Sequence, residues 1–393
     1  MKVIFLHRVW PVYGGGETVT ICLANEMVRR DIEVHVAYFK DSATNGKSPF
    51  IDARIVKHRI DGIQFNELSS DFYINKRDAT IASSELIAII KQHNIDVVNN
   101  QWWPVEFLHE VKQKTGAKII KTLHMDVDLK KAFDTNGIKG CLYKIIYPLY
   151  RYLERKKNIW RANKYYNNSD VFVFLAPCFL KTYAKLTNKS PNNSKLDYVY
   201  NPLVFESSIS PIERKNKENI VLVVGRLSER HKKILRILES WKTIEQEKSL
   251  DKWKLQIVGD GEDRNLYEKE IKKKHLQRVE MIGYKQPLSY YKRAKIFLMT
   301  SAYEGFAMTL VEAQQNAVTL LVMDSYESLH EIVQDGYNGI LVQDGNVKEF
   351  TEKLKILMKD SGLRDKLADK GLITCQRFVV SKVVDKWIKI YNK

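Results

Sequence analysis

Short apolar runs alternate with amphipathic stretches along most of the chain. Val3-Ile4-Phe5-Leu6, Glu33 to Tyr38, Asp96 to Asn99, Lys118 to Thr122 and Val171 to Phe174 each read as a buried strand. A continuous apolar run bounded by polar residues suits a parallel sheet. Helical spacing fills the intervals at Glu17 to Arg30 and Ser84 to His93. A second series begins after Asn201-Pro202, with short strands at Ile220 to Val224, Leu255 to Val258, Val279 to Ile282, Ile296 to Thr300, Thr319 to Met323 and Gly339 to Val342. Between the two series, Ser207 to Lys217 is polar and carries a proline, so it reads as a linker. Val380 to Tyr391 forms a closing helix that periodicity assigns to neither half. The fold class expected is α/β, with two doubly wound units built on parallel sheets.

Composition narrows the class. At 393 residues the chain exceeds what one core usually supports. Hydrophobic content of 44% and nine prolines speak against disorder. No apolar run approaches the roughly 20 residues needed to span a bilayer, and Met1 to Leu6 is too short for a signal peptide. The cysteines Cys22, Cys141, Cys178 and Cys375 have no metal-ligand spacing, which suits a reducing cytoplasm.

The net charge of +17 calls for an anionic partner: nucleic acid, a membrane surface or acidic small molecules. Lys269 to Lys274 reads as the wet face of a helix whose Leu266, Ile271 and Leu276 meet a core. From Gly140 to Tyr166, aromatic and basic residues alternate. Tyr143, Ile146, Tyr147, Tyr150 and Leu153 fall near helical spacing, and Pro148 is expected to kink or break the helix. Two readings stand for this segment. It lies on an anionic membrane interface, or it is a core-facing helix with a basic wet side.

Four places carry candidate chemistry. Glu304 follows the strand at Ile296 to Thr300, and Glu312 stands eight positions later, about two turns into the next helix. The N–H groups near Ala307 to Leu310 point out of that helix end, where roughly half a positive charge suits phosphate. Carboxylates beside an anion site fit a ligand that also offers hydroxyls, as a sugar nucleotide does. Gly225-Arg226-Leu227 closes the first strand of the second half, with Lys232 and Lys233 close behind. Cations at a carboxyl edge suit a diphosphate, with surface salt bridges as the alternative. Gly14-Gly15-Gly16 follows the first strand without the GxGxxG spacing, so tight turn and phosphate contact are equally served. His124 closes another strand, as a cleft group or a satisfied structural histidine. Asp126-Val127-Asp128 beyond it could hold a divalent ion against a diphosphate, but only with a single nucleotide-binding half at the amino end and no role for Glu304 and Glu312.

Taken in order, the glycine-rich loop, Gly225-Arg226-Leu227 with its lysine, Gly259-Asp260-Gly261, and Glu304-Gly305-Phe306 with Glu312 resemble the retaining glycosyltransferases of family 4. The resemblance covers nearly the whole chain and is strongest from Ile220 to Val342. It implies the GT-B fold, two Rossmann-like domains facing across a cleft. Residues 1–203 would bind the acceptor, joined by a final helix at 380–393, and residues 204–379 would bind the nucleotide sugar.

The same resemblance assigns roles. Arg226 and Lys232 grip the donor diphosphate, with Lys233 the alternative because the family's lysine often precedes glycine. Glu304 meets donor-sugar hydroxyls, and Phe306, Ala307, Met308, Thr309 and Leu310 form the loop and helix end that donate backbone N–H bonds. Glu312 takes the ribose, Gly15 and Gly16 close over the diphosphate, and His124 lies near sugar and acceptor. The implied enzyme is a metal-independent hexosyltransferase that needs no cofactor, using a UDP- or GDP-linked donor and a glycan or lipid-linked acceptor in lipopolysaccharide, O-antigen or capsule synthesis. A peripheral place at the inner face of the cell membrane is expected. Competing readings are a sugar-nucleotide epimerase, a glycogen-synthase-like polymerase, and a basic nucleic-acid-binding protein, for which no nucleic-acid motif is visible.

Overall fold

A computed structural model describes residues 1–11, 15–42, 50–64, 74–128, 137–205 and 209–393. Gly14, Ser207, Ser208 and the Tyr143 side chain lie outside these. The chain forms two compact units, one of residues 1–129, 150–204 and 378–393, the other of residues 130–149 and 205–377.

From the amino end the chain runs β1 (Lys2–Leu6), β2 (Val9–Trp10), α1 (Gly15–Arg29), β3 (Glu33–Tyr38), β4 (Lys40–Asp41), β5 (Val56–Arg59), α2 (Lys76–His93), β6 (Val97–Asn100), α3 (Leu108–Thr115), β7 (Lys118–Leu123), α4 (Gly137–Asn167), β8 (Val171–Phe174), α5 (Pro177–Thr187) and β9 (Leu196–Tyr198). All strands of the main sheet are parallel, in the order β5-β3-β1-β6-β7-β8-β9. Val3, Ile4, Phe5 and Leu6 of the central β1 are wholly buried, which is why that strand is a pure apolar run.

The second unit adds α6 (Pro211–Lys215), β10 (Ile220–Val224), α7 (Glu229–Lys232), α8 (Ile234–Glu245), β11 (Lys254–Val258), α9 (Arg264–Lys273), β12 (Val279–Gly283), α10 (Leu288–Arg293), β13 (Ile296–Met299), α11 (Met308–Gln315), β14 (Thr319–Asp324), β15 (Ile340–Gln343), α12 (Val347–Lys359) and α13 (Ser361–Cys375). Its sheet is parallel, in the order β12-β11-β10-β13-β14-β15. On α8, Ile234, Ile237, Leu238, Trp241 and Ile244 recur at helical spacing and all enter the core. Burying each such side chain contributes about 1.5–3 kcal/mol, which holds the helix to the sheet.

In both sheets the strand order reverses beside the first strand, between β1 and β6 and between β10 and β13. Loops leaving the carboxyl ends of those strands diverge to opposite faces, opening a crevice where such folds bind ligands.

The last helix, α14 (Val380–Tyr391), belongs to the first unit. Val383, Val384, Trp387, Ile390 and Tyr391 form its buried stripe. Arg30, just past α1, donates from its guanidinium to Asp385 Oδ1 at 2.6 Å and to the Ser381 carbonyl at 2.9 Å.

Three expectations are corrected. Within the polar stretch read as linker, Pro211–Lys215 is helical, because Ser210 and Glu213 cap it reciprocally and Pro211 suits the first position. Helix α4 runs through Pro148 without a break, forgoing the one backbone bond that the ring nitrogen cannot donate. On α9, Leu266 is exposed and Tyr267 takes its place in the core, while Ile271 and Leu276 meet the core as expected.

Candidate functional site

In the second unit, the chain leaves β10 through Gly225, Arg226 and Leu227. A Cβ on Gly259 would lie 1.9 Å from the Gly225 carbonyl oxygen, so the two loops meet backbone to backbone. The Leu227 N–H donates to the Asp260 carbonyl at 2.9 Å, and the Asp263 N–H donates to the Leu227 carbonyl at 3.0 Å. Glycine is required by that contact and by the φ of +144° at Gly259. Held this way, the loop sends the Arg226 side chain outward, 72% exposed, with Nε donating to Glu262 Oε2 at 3.0 Å.

Lys232 turns inward instead. Its ammonium donates to Glu304 Oε1 at 2.6 Å, in a pair whose side chains are 15% and 12% exposed. His231 stacks on Tyr303 at 4.4 Å and gives its Nε2–H to the Tyr303 carbonyl at 2.7 Å, leaving Glu304 Oε2 at 3.6 Å. Burial alone raises the Glu304 carboxyl, but the Lys232 charge and the His231 contact outweigh it and hold the group at about 2. Glu304 is therefore ionised at neutral pH. Lys233 takes a different place. It closes α7 at a φ of +53°, the left-handed conformation that glycine adopts without strain, and Thr300 Oγ donates to the carbonyls of Lys232 and Lys233.

Helix α11 starts at Met308, so Glu312 is its fifth residue and stands just past the first turn rather than two turns in. The Met308 N–H donates to Phe306 O at 2.9 Å and the Leu310 N–H to Ala307 O at 3.0 Å. Those two expected phosphate donors are engaged within the turn, while Thr309 occupies the position between them. Glu312 is buried and accepts from the Tyr291 hydroxyl at 2.8 Å. Burial pushes its carboxyl up to about 7, against the Tyr291 hydrogen bond. Two carboxylates eight residues apart are thus shifted in opposite directions, Glu304 held ionised by a lysine and Glu312 pushed toward its neutral form by burial.

In the first unit, Gly15 and Gly16 open α1. His124 follows β7 and stacks on Trp102 with centroids 4.4 Å apart and planes within 9°. Its Nε2–H donates to Gln101 Oε1 at 2.6 Å. The Gln101 amide donates to Asn99 Oδ1 at 2.6 Å, and the Asn99 amide donates to the Tyr391 hydroxyl at 2.8 Å. A buried chain of hydrogen bonds therefore runs from α14 to His124. Burial, with Lys121 nearby, lowers His124 to about 3, so the imidazole is neutral. Lys121 is itself buried, donates to the Gln101 carbonyl at 3.0 Å, and is pushed down to about 7 by desolvation. These residues border a cavity of about 250 Å³ whose walls include Arg8, Trp102, Trp103, Lys121 and Trp160.

The Asp126–Asp128 pair is not arranged as an open metal site. Asp126 Oδ1 accepts from the Asp128 N–H at 2.9 Å, and the Asp128 carboxylate is held by the Arg151 guanidinium at 2.5 Å. Among the described side chains of α4, Ile146, Leu149, Tyr152, Leu153 and Trp160 are exposed, whereas Tyr147 and Tyr150 are half-buried. Among the described residues, no helix is long and apolar enough to cross a membrane.

Sequence reasoning missed Tyr291, His231, Gln101, Trp102, Lys121 and Tyr391 as partners of the site. His231 and Trp102 adjoin residues already singled out or strand ends, which is a usable signal. Tyr291 and Tyr391 reach the site only through tertiary packing and leave no local signature.

Two family models cover most of the chain: Glycosyltransferase Family 4 over residues 13–203 and Glycosyl transferases group 1 over residues 204–372. The chain is 32% identical over 198 residues to the amylovoran biosynthesis glycosyltransferase AmsD of Erwinia amylovora, covering 47% of this chain and 54% of that protein. It is 29% identical over 168 residues to the lipopolysaccharide 1,6-galactosyltransferase of Salmonella typhimurium, covering 40% and 45%. Matches of this kind span about half the length of the relatives concerned. Among solved structures, the apo form of the lipopolysaccharide outer core galactosyltransferase WaaB superposes with a TM-score of 0.69 at 20% identity, covering 99% of each chain. HepE of Anabaena in complex with UDP and glucose gives 0.74 at 17% identity, covering 100% of this chain and 99% of that one. These likenesses establish a shared fold.

Proposed function

Because the chain belongs to the family 4 and group 1 glycosyltransferases of GT-B fold, we propose that it moves a hexosyl unit from a UDP- or GDP-linked donor to a glycan or lipid-linked acceptor in cell-surface polysaccharide synthesis. The observation that carries this reading is the Lys232–Glu304 pair beside Arg226, at the carboxyl edge where the second sheet reverses its order.

Breaking the anomeric bond puts negative charge on the departing diphosphate and positive charge on the sugar ring. Arg226 exchanges Glu262 for a phosphate, and Lys232 neutralises the other side of the leaving group, so the charge is met without a metal or cofactor. Lys232 rather than Lys233 fills this role, since Lys233 takes the left-handed position that follows the lysine. Glu304, already ionised, accepts from donor-sugar hydroxyls. Glu312 accepts from the ribose, giving up its proton as the hydroxyls replace it. Phe306 to Leu310 border the phosphates, and the helix end adds its partial charge. The transfer is read as front-face attack with retention, the departing phosphate oxygen taking the acceptor's proton. The HepE complex with UDP and glucose supports a nucleotide-sugar ligand for this fold.

The acceptor belongs to the cavity beside His124. The half-buried Trp102 suits a pyranose ring, and Arg8 and Lys121 suit an anionic group such as a phosphate on the acceptor. On α4, the exposed Leu149, Leu153 and Trp160 with Lys156 and Lys157 favour an anionic bilayer, rather than the half-buried Tyr147 and Tyr150 of the expected stripe.

Screening nucleotide sugars by acceptor-dependent nucleotide release tests the assignment. Release expected only with acceptor separates transfer from epimerisation, and wild-type release by Arg226→Ala would remove the diphosphate clamp. Cosedimentation with anionic vesicles should weaken in high salt and in Leu149→Ser/Leu153→Ser; an unchanged pellet in both rejects the membrane reading.

A further inference from the structure

Three histidines meet in the first unit, away from the carboxyl edge of its sheet. His35 lies on β3, His58 on β5 and His93 at the end of α2, and one ring nitrogen from each falls within 4.8 Å of the others. The register aligns His35 with Ile4, Ile4 with Val98 and Val98 with Ile119, which places His35 five residues before the level of His124. We propose that His35, His58 and His93 form a zinc-binding site that ties β3, β5 and the carboxyl end of α2 together.

The tautomer of His35 is set for this. Its Nε2 lies 2.9 Å from Glu33 Oε1, and a carboxylate only accepts, so Nε2 carries the hydrogen. The Nδ1 lone pair is then directed at His58 Nε2, 2.8 Å away. A carboxylate holding the far nitrogen of a histidine is the usual support of a zinc ligand, because it fixes the ring and raises its basicity. Glu33 is anchored in turn by the Lys2 ammonium at 3.0 Å. The His35 and His58 rings are 5.1 Å apart and within 8° of parallel, and the His93 ring stands across both, 4.8 Å from His35 and 5.1 Å from His58 and steeply tilted to each.

Zinc insertion opens one contact and draws together the three nitrogens, which now lie within 4.8 Å of one another. Two nitrogens on a tetrahedral zinc with bonds of about 2.0–2.1 Å are about 3.3 Å apart, so the His35–His58 contact opens by about half an ångström. His58 shifts its hydrogen from Nε2 to Nδ1, which involves no net proton. The negative end of the α2 dipole, beside His93, favours a cation. His58 and His93 are half-buried, leaving a path from solvent, and a water completes four-coordination. Three imidazoles without thiolate or carboxylate ligands suit zinc over magnesium or calcium.

The test uses the full chain without an affinity tag, stripped with EDTA and titrated with zinc chloride by calorimetry, with Co²⁺ as a spectroscopic substitute. One zinc per chain is expected, with intense visible absorption from four-coordinate Co²⁺ and a melting temperature raised by roughly 5–10 °C at zinc a hundredfold over Kd. His58→Ala and His93→Ala should each weaken zinc at least tenfold, and Glu33→Gln by roughly 10–100-fold. Absence of saturable binding at one equivalent, or affinity unchanged in both histidine variants, overturns the site. If a variant fails to fold, the wild-type cobalt spectrum decides, and weak absorption matching Co²⁺ in buffer rejects it.

Discussion

The two sheets reverse their strand order in the same way, yet the loops at their carboxyl edges are prepared for opposite tasks. In the second unit the edge carries fixed charges: an exposed arginine on Glu262 and a buried lysine on an ionised glutamate. In the first unit the corresponding edge holds a neutral histidine, stacked on tryptophan and aligned by a chain of amides and a tyrosine. One topology thus serves a site that manages charge and a site that manages orientation, and the difference lies in the residues just beyond the strands.

The largest expected effect breaks the charged side. Lys232→Ala leaves Glu304 charged and buried without its partner, so stability should fall by about 3–5 kcal/mol and turnover should be lost with it. Arg226→Ala separates those outcomes. Its side chain is exposed, so melting should barely change while kcat/KM drops by roughly 10²–10³. Lys233→Gly should leave turnover intact, and a loss equal to that of Lys232→Ala would reverse the assignment of the two lysines.

Next comes the contrast between the two carboxylates of the charged side. Glu312 has its folded pKa raised to about 7, so the native state binds a proton more tightly than the unfolded chain. Stability without ligand should therefore fall as pH rises from about 4.5 through 7, by roughly 3 kcal/mol in all, and Glu312→Gln should flatten that slope. Glu304, depressed to about 2, works in the opposite sense, its contribution being lost as pH falls from about 4.5 toward 2. If Glu312 takes the ribose as a carboxylate, UDP affinity should strengthen as pH rises through 7 in the wild type. Equal pH dependence in Glu312→Gln would place the titration on the ligand.

The smallest effect sharpens the oriented side. Tyr391→Phe removes the far end of the chain leading to His124, at a stability cost of about 1 kcal/mol. Turnover should fall severalfold with donor KM unchanged. A change confined to stability would reduce the network to packing.

The strands were legible because both sheets are parallel and covered on two faces, so Val3–Leu6, Val171–Phe174 and Ile220–Val224 each appear as an unbroken apolar run. Strand β5 was not, since an edge strand reading VKHR is mostly exposed and offers neither a run nor an alternation. Three-residue β9 is too short for any period. At the site, Arg226, Lys232 and Glu304 could be placed because each directly follows a strand end or its loop. The partners that set their charge could not. Tyr291 is 21 positions from Glu312 and Tyr391 is 292 from Asn99, distances over which no local pattern carries information. On α4, spacing located an apolar stripe, but tertiary packing chose which tyrosines turned inward.

The position of α14 also orders events in time. The first unit takes its last sixteen residues, 378–393, from the far end of the chain. During synthesis at about 5–20 residues per second, roughly ten to thirty-five seconds separate the emergence of Val204 from that of Phe378. Throughout that interval the groove on α1 is uncovered and Asn99 lacks its tyrosine. Residues 130–149 and 205–377 of the second unit have all emerged by the end of that interval, so that unit can collapse before the first is sealed. A chain halted before residues 380–391 emerge would therefore carry one finished unit and one exposing the surface that Trp387 and Ile390 cover.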